Sequence, residues 1–169
     1  MNLDDIRPIV HEIALFGGLT DEQLEIVVNL LRESSHESGE IIFEKGSKAS
    51  NIYIIKSGRV RIFSETDGPK PFEIVAFNVG DCFGEISVIG IIPHTGTAQI
   101  LEPTELIVLS RQALMHLYKS DARTFASLIL NIAREACRRL SNTNQMLLHY
   151  VNQSGSSKIN SNTQPSQFK

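Results

Sequence analysis

Between Gly39 and Ser110 the chain is written in short apolar runs separated by glycine, and this punctuation limits the fold more than any other feature. The runs are Ile41 to Phe43, Ile52 to Lys56, Arg59 to Ser64, Phe72 to Phe77, Thr97 to Leu101 and Leu106 to Leu109, with Gly39, Gly46, Gly58, Gly68, Gly80 and Gly84 at or between their ends. Runs this short, rich in Val, Ile and Phe, are strands rather than helices. Many short strands with frequent turn signals close into an antiparallel sandwich or barrel. Asp67-Gly68 reads as a hairpin tip.

Helices flank this β region on both sides. Ile6, Ile9, Val10, Ile13 and Ala14 recur at helical spacing, predicting an amphipathic helix from Leu3 to Leu15 that Gly17-Gly18 stops. Thr20 with Gln23 forms a capping box that opens a second helix, with Leu24, Val27, Val28 and Leu31 on its buried stripe. After the β region, Ser110 caps a short helix carrying Leu114, Leu117 and Tyr118. A long helix follows Ser120-Asp121 and runs to about Tyr150. Its apolar line is Phe125, Ile129, Ile132, Ala136, Leu140, Thr143, Leu147 and Tyr150. So narrow a stripe is either a coiled-coil seam joining two copies or the face of a helix lying along the barrel. The expected layout is one domain over residues 1–151, with helices over 3–31, a barrel over 39–110 and C-terminal helices over 110–151. A polar tail rich in Ser, Asn, Gln and Gly follows over 152–169 and is expected to be disordered.

Composition excludes several classes of function. No apolar run approaches the roughly 20 residues of a membrane span, and the acidic start Met1-Asn2-Leu3-Asp4-Asp5-Ile6 lacks the layout of a signal peptide. Cys82 and Cys137 are far apart and fit free thiols in the cytoplasm. A net charge of −3 argues against a general nucleic-acid binder. The histidines His11, His36, His94, His116 and His149 are scattered singly, without the His-x-His pair that barrel metalloenzymes use. The serine of Phe83-Gly84-Glu85-Ile86-Ser87 does not stand between the glycines of a nucleophile elbow. No catalytic residue, metal ligand or cofactor is expected, and the chain does not read as an enzyme.

One short stretch has the makings of a binding site. Phe83-Gly84-Glu85-Ile86-Ser87-Val88 places a glycine, a carboxylate and the start of a helical turn together. Glycine admits a ligand close to the backbone, free amides at a helix start suit an anion, and a carboxylate accepts hydrogen bonds from a sugar hydroxyl. The combination is a sugar-phosphate cradle.

The layout from Leu3 to Tyr150 resembles the cyclic nucleotide-binding domain family, including the sensor half of catabolite-activator-type bacterial regulators. The matching blocks are Leu15-Phe16 with Leu19 and Thr20; Gly39-Glu40-Ile41-Ile42-Phe43; Glu44-Lys45-Gly46; Ile52-Tyr53-Ile54-Ile55; Ser57-Gly58-Arg59-Val60; Val79-Gly80-Asp81; and Phe83-Gly84-Glu85. The resemblance implies an eight-stranded jelly-roll-like antiparallel β-barrel with an N-terminal helical segment and a long C-terminal helix. It also implies a phosphate-binding cassette beginning at Phe83, in which Glu85 holds the ribose 2′-hydroxyl and the Gly84 amide faces the ligand, with Ile86 in the same turn. The family's cassette ends in an arginine that pairs with the cyclic phosphate. Here the corresponding stretch reads Pro93-His94-Thr95-Gly96-Thr97-Ala98, which puts His94 at the arginine position.

Histidine is shorter than arginine and mostly neutral at pH 7. Losing two hydrogen bonds to a charged group, at about 1.5–3 kcal/mol each, weakens binding by roughly two to four orders of magnitude. Thr95 supplies a hydroxyl in partial compensation. His94 is either a phosphate contact, in which case affinity rises as pH falls through about 6.5, or a solvated loop residue. Glu85 is either the ribose ligand or a surface carboxylate capping the short helix. On the long helix, Arg138-Arg139-Leu140 is followed by Ser141-Asn142-Thr143-Asn144, which puts Thr143 and Asn144 where activator-type relatives read the purine. A polar notch in a coiled coil is the other reading of that pair. No helix-turn-helix segment is expected after this helix, so the chain reads as a sensor domain standing alone. Two functions remain: a homodimeric receptor that binds cyclic AMP or cyclic GMP weakly or atypically, and a ligand-free dimeric adaptor. A receptor for a different ligand, such as a cyclic dinucleotide, lies between them.

Overall fold

The computed structural model describes residues 6–66, 68 and 71–153. It divides into two compact units, one ending at Glu135 and one beginning at Ala136.

Of the helix expected from Leu3 to Leu15, residues 3–5 lie outside the described residues and Ile6 is helical, but the rest departs from expectation. Within the described residues, Ile9, Glu12 and Ile13 donate to the carbonyls of Ile6, Ile9 and Val10, so each bond spans three residues. Residues 7–12 form turns, and a 3-10 turn follows at Ala14–Phe16. Pro8 explains the correction, because it has no N–H to donate and it disfavours helical backbone at Arg7. The apolar positions are nonetheless used: Ile6, Ile13, Leu15 and Phe16 are all buried. The next helix, α1 (Asp21–Val28), matches expectation. Gln23 N–H donates to Thr20 Oγ1, and Thr20 N–H donates to the Gln23 side chain, completing the capping box.

Among the described residues, the β region holds six strands: β1 (Arg32–His36), β2 (Ile41–Phe43), β3 (Asn51–Ser64), β4 (Phe72–Phe77), β5 (Cys82–Phe83) and β6 (Thr97–Ser110). All pairings are antiparallel. The sheet runs β1-β6-β3-β4, with β2 also on β6 and β5 also on β3. The runs expected at 52–56 and 59–64 are two halves of β3, and those at 97–101 and 106–109 are two halves of β6. Both strands lose register together around Ser57–Arg59 and Glu102–Glu105. Gly58 makes the bend: its φ is 87°, and a Cβ there would collide with Thr104 Oγ1 and lie 2.6 Å from the Pro103 carbonyl. Broken at this bend, the strands give the eight segments of a jelly-roll-like barrel. β1 went unforeseen because Arg-Glu-Ser-Ser-His has no apolar alternation. β4 pairs with β3 where a hairpin was expected; of its expected tip, Asp67 lies outside the described residues.

The two-residue period of the strands separates two cores. Ile52 and Ile54 of β3, with Ile107 and Leu109 of β6, pack against Ile13, Leu15, Val27 and Val28. Ile55, Val60, Ile100 and Leu106 face the other way, with Phe77, Phe83 and Ala98, and fill the barrel.

Three further helices complete the described residues. A six-residue helix between β5 and β6, α2 (Glu85–Gly90), belongs to the candidate site. The helix α3 (Arg111–Ser120) is capped by Ser110 Oγ, which accepts from Ala113 N–H, and it buries Leu114 and Leu117. Tyr118, on the same helix, is exposed and forms an edge-to-face pair with Phe125. The last helix, α4 (Ala122–Gln153), starts at Asp121, whose carboxylate accepts from the backbone of Arg123 and Thr124 and from the Thr124 hydroxyl. Inside the first unit its residues Leu128 and Ile132 are buried, with Phe125 and Ile129 packed beside them. Asn131 is buried and donates to the carbonyls of Leu15 (2.9 Å) and Gly17 (2.8 Å). The second unit is the rest of α4, where Leu140, Leu147 and Tyr150 are all exposed. Asn152, assigned to the polar tail by sequence, is helical, and the tail from Ser154 on lies outside the described residues. No described helix is long and apolar enough to cross a membrane.

Candidate functional site

The candidate cassette grows out of β5. Cys82 and Phe83 pair with Ile54 and Tyr53 of β3, which anchors the strand end in the sheet. Phe83 is buried between aromatic rings, 5.0 Å from Tyr53 and 6.0 Å from each of Phe43 and Phe77, centroid to centroid. Gly84 then turns the chain with φ 82° and serves as N-cap of α2. Its missing side chain matters, since a Cβ would stand 3.0 Å from the Asn51 carbonyl and 3.4 Å from the Tyr53 ring. Glycine also has no side chain with which to cap the first-turn amides, and these have no intrahelical acceptor.

Glu85 follows in that first turn and is only 1% exposed. This overturns the reading of Glu85 as a surface carboxylate. The helix buries Ser87 and Val88 and turns Ile86 outward at 50% exposure. It ends at Ile91, whose φ of 54° is a left-handed conformation that β-branched residues rarely adopt. Ile92 N–H returns to the Ser87 carbonyl at 3.1 Å.

His94 lies neither in solvent nor unpartnered. It is 5% exposed, and its ring lies flat on Phe43, with 3.6 Å between centroids and 6° between planes. The solvated-loop reading is therefore also overturned. The His94 backbone is fully engaged, its N–H donating to the Ser47 carbonyl (3.0 Å) and its carbonyl accepting from Gly46 N–H (2.7 Å). Burial pulls its pKa below the ordinary imidazole value, because desolvation disfavours the charged ring. The ring borders an open cleft of about 480 Å³ shared with Phe43, Ser47, Asn51 and Tyr53.

Phe43 is thus the piece that residue reading missed as part of the site. Its ring touches His94 and stands 3.7 Å from where a Gly84 Cβ would be, so it links the two ends of the cassette. The clue in the sequence was an aromatic closing the run Ile41-Ile42-Phe43, between glycines. Of the remaining expected residues, Thr95 is exposed, while Thr97 opens β6 and accepts at Oγ1 from Lys45 N–H (3.1 Å). Thr143 and Asn144 belong to the second unit, where both are exposed and the Thr143 hydroxyl donates to the Arg139 carbonyl at 2.9 Å.

This geometry has counterparts among known proteins. The cyclic AMP receptor protein of Thermus thermophilus is 29% identical over 125 residues, which cover 72% of this chain and 58% of the receptor. The crystal structure of the Thermus thermophilus catabolite activator protein superposes with a TM-score of 0.70 at 27% identity, covering 79% of this chain and 61% of that one. A cyclic nucleotide-binding domain from Methylobacillus flagellatus has a TM-score of 0.78 over 92% of this chain and 85% of its own, and at 19% identity that likeness concerns the fold alone. The chain therefore spans little more than half of the Thermus receptor. The family model described as cyclic nucleotide-binding domain matches residues 33–121, from β1 through the cassette to the end of α3. With that match over more than half of its residues, the chain belongs to the cyclic nucleotide-binding domain family.

Proposed function

We propose that this chain is a non-enzymatic regulatory module of the cytoplasm that senses cyclic AMP or cyclic GMP, weakly, through the cassette from Phe83 to Thr97. The observation that carries this reading is the turn at Gly84, where a left-handed glycine opens a helix and Glu85 is held buried in its first turn. Amides without intrahelical acceptors take phosphate oxygens, and a fixed carboxylate takes a ribose hydroxyl. The kinship with a protein named as a cyclic AMP receptor supports the ligand class. His94 supplies no fixed charge, so affinity falls below that of a site with arginine. Occupancy of the cassette shifts the population between two packings of the C-terminal helix. The exposed second half of α4, which carries Thr143 and Asn144, serves as a homodimer seam.

The stacking of His94 on Phe43 supports a second reading. A residue committed to a packed aromatic pair makes a poor phosphate ligand, which favours an adaptor without a ligand or a receptor for another molecule such as a cyclic dinucleotide.

Calorimetric titration with cyclic AMP and cyclic GMP at pH 6 and pH 7.5 separates the two. Weak binding in the parent, loss of binding in Glu85→Ala, and tightening by about two orders of magnitude in His94→Arg are expected of the sensor. No heat up to millimolar nucleotide in either the parent or His94→Arg establishes the second reading.

A further inference from the structure

Beside the cassette cleft, and sharing Lys48, Ser50 and Asn51 with it, a second cleft of about 690 Å³ opens next to α3, and its wall is basic. Arg32 from β1, Lys48 from the loop before β3, and Arg111, His116 and Lys119 from α3 line it, and its lining contains no Asp or Glu. In a chain of net charge −3, an uncompensated group of cations is unexpected. Other cations have acidic partners: Lys56 pairs with Glu33 and Glu105, and Arg61 with Glu73. Among the described residues, the side chains of Arg32, Lys48, Arg111 and Lys119 have neither an ion pair nor a hydrogen bond. The first turn of α3 carries no acid to offset its dipole, and Arg111 stands there instead.

The layout of these groups selects a ligand. Gln112, Met115, His116 and Lys119 recur at helical spacing and share one face of α3. Arg111 and Lys119 are eight residues apart, about 12 Å along the axis, the length of roughly four residues of extended peptide. Met115, 42% exposed, lies between them in sequence and gives the wall an adaptable apolar patch. Cations spread along the face of α3 in this way suit an extended ligand better than a compact one. Nucleic acid fits poorly, because the wall holds no Phe, Tyr or Trp on which a base could stack. The chain's own last residues, 154–169, carry Lys158 and Lys169 and no acid, so they do not complement the groove.

We propose that this groove docks an acidic segment of a partner protein, an extended run of Asp and Glu with an apolar residue seated on Met115. It requires no nucleotide in the cassette and stands independently of the sensor reading.

Fluorescence anisotropy with a labelled peptide of about twelve residues, Asp and Glu around a single Leu, tests it on the full chain. Micromolar binding at low salt that weakens with added salt is expected. Lys48→Ala or Arg111→Ala should weaken it by about two- to fivefold, and the reversal Lys48→Glu with Arg111→Glu by about tenfold or more. Circular dichroism of the reversed variant should match the parent, because Arg111 meets Ser50 through its backbone N–H and not its side chain. The proposal fails if the peptide does not bind, or if a Gln-for-Glu peptide binds equally well. It also fails if the reversed variant, folded, binds as the parent does, if an oligothymidine of equal charge binds more tightly than the peptide, or if sedimentation shows a second copy of the chain occupying the groove.

Discussion

The two parts of α4 carry the same apolar spacing and meet different fates. Before Ala136, Leu128 and Ile132 are buried in the core of the first unit, with Phe125 and Ile129 beside them and Asn131 bonded to the carbonyls of Leu15 and Gly17. After it, Leu140 and Leu147 are exposed at 61% and 60%, and Tyr150 at 70%. A stripe at three-four spacing states that a face is apolar. It does not state what covers that face. In the first part the cover is the chain's own core. In the second, the homodimer proposal supplies a second copy.

The contrast can be broken most directly with one substitution made on each side. Leu128→Ala should lower the unfolding free energy by about 2–5 kcal/mol, whereas Leu147→Ala, assayed in urea at a concentration that keeps the chain monomeric, should change it by less than about 0.5 kcal/mol. Equal effects would erase the distinction. Asn131→Leu should cost about 1–3 kcal/mol by the same assay, since it removes the donor from two carbonyls without opening a large cavity. An unchanged midpoint would mean that water replaces the amide at no loss. Leu140→Glu with Leu147→Glu should leave the stability of the dilute chain within about 0.5 kcal/mol and abolish any concentration-dependent rise in sedimentation coefficient. A dimer that survives both charges has its seam elsewhere.

The smallest effect concerns His94, a buried ionisable group of the first unit. Its pKa is lowered in the folded chain by burial. As pH falls through the ordinary imidazole value, the unfolded chain takes up this proton first, so stability declines there and levels off below the folded value. His94→Phe, which keeps a ring against Phe43, should lose less stability than the parent between pH 7.5 and pH 5. Parallel declines would assign the acid sensitivity to other groups.

Much of the site was legible in the sequence because its parts are local. Gly84 beside Glu85 predicts a turn into a helix, and the backbone makes that turn. The resemblance to the family, aligned on Pro93 and Thr97, implied that His94 stands at the arginine position. What spacing left open was the environment. His94 and Glu85 both read equally well as surface groups, and both are buried, His94 against the ring of Phe43 far earlier in the chain. The expected N-terminal helix shows the reverse failure: Ile6 is helical and the apolar positions Ile6 and Ile13 are buried, but from Arg7 to Glu12 Pro8 decided the backbone.

By itself, then, the sequence determined whatever depends on neighbours a few residues apart: the capping box at Thr20, the bend at Gly58, the strand runs, the cap at Ser110 and the turn at Gly84. Backbone dihedral preferences, capping and side-chain periodicity act over that range. Only the tertiary structure decided which apolar faces are covered, that the strand halves on either side of Gly58 are continuous, that His94 packs on Phe43, and that Arg32, Lys48, Arg111 and Lys119 gather around one groove. Burial and the company of charges depend on residues far apart in sequence, and only the folded chain brings these together.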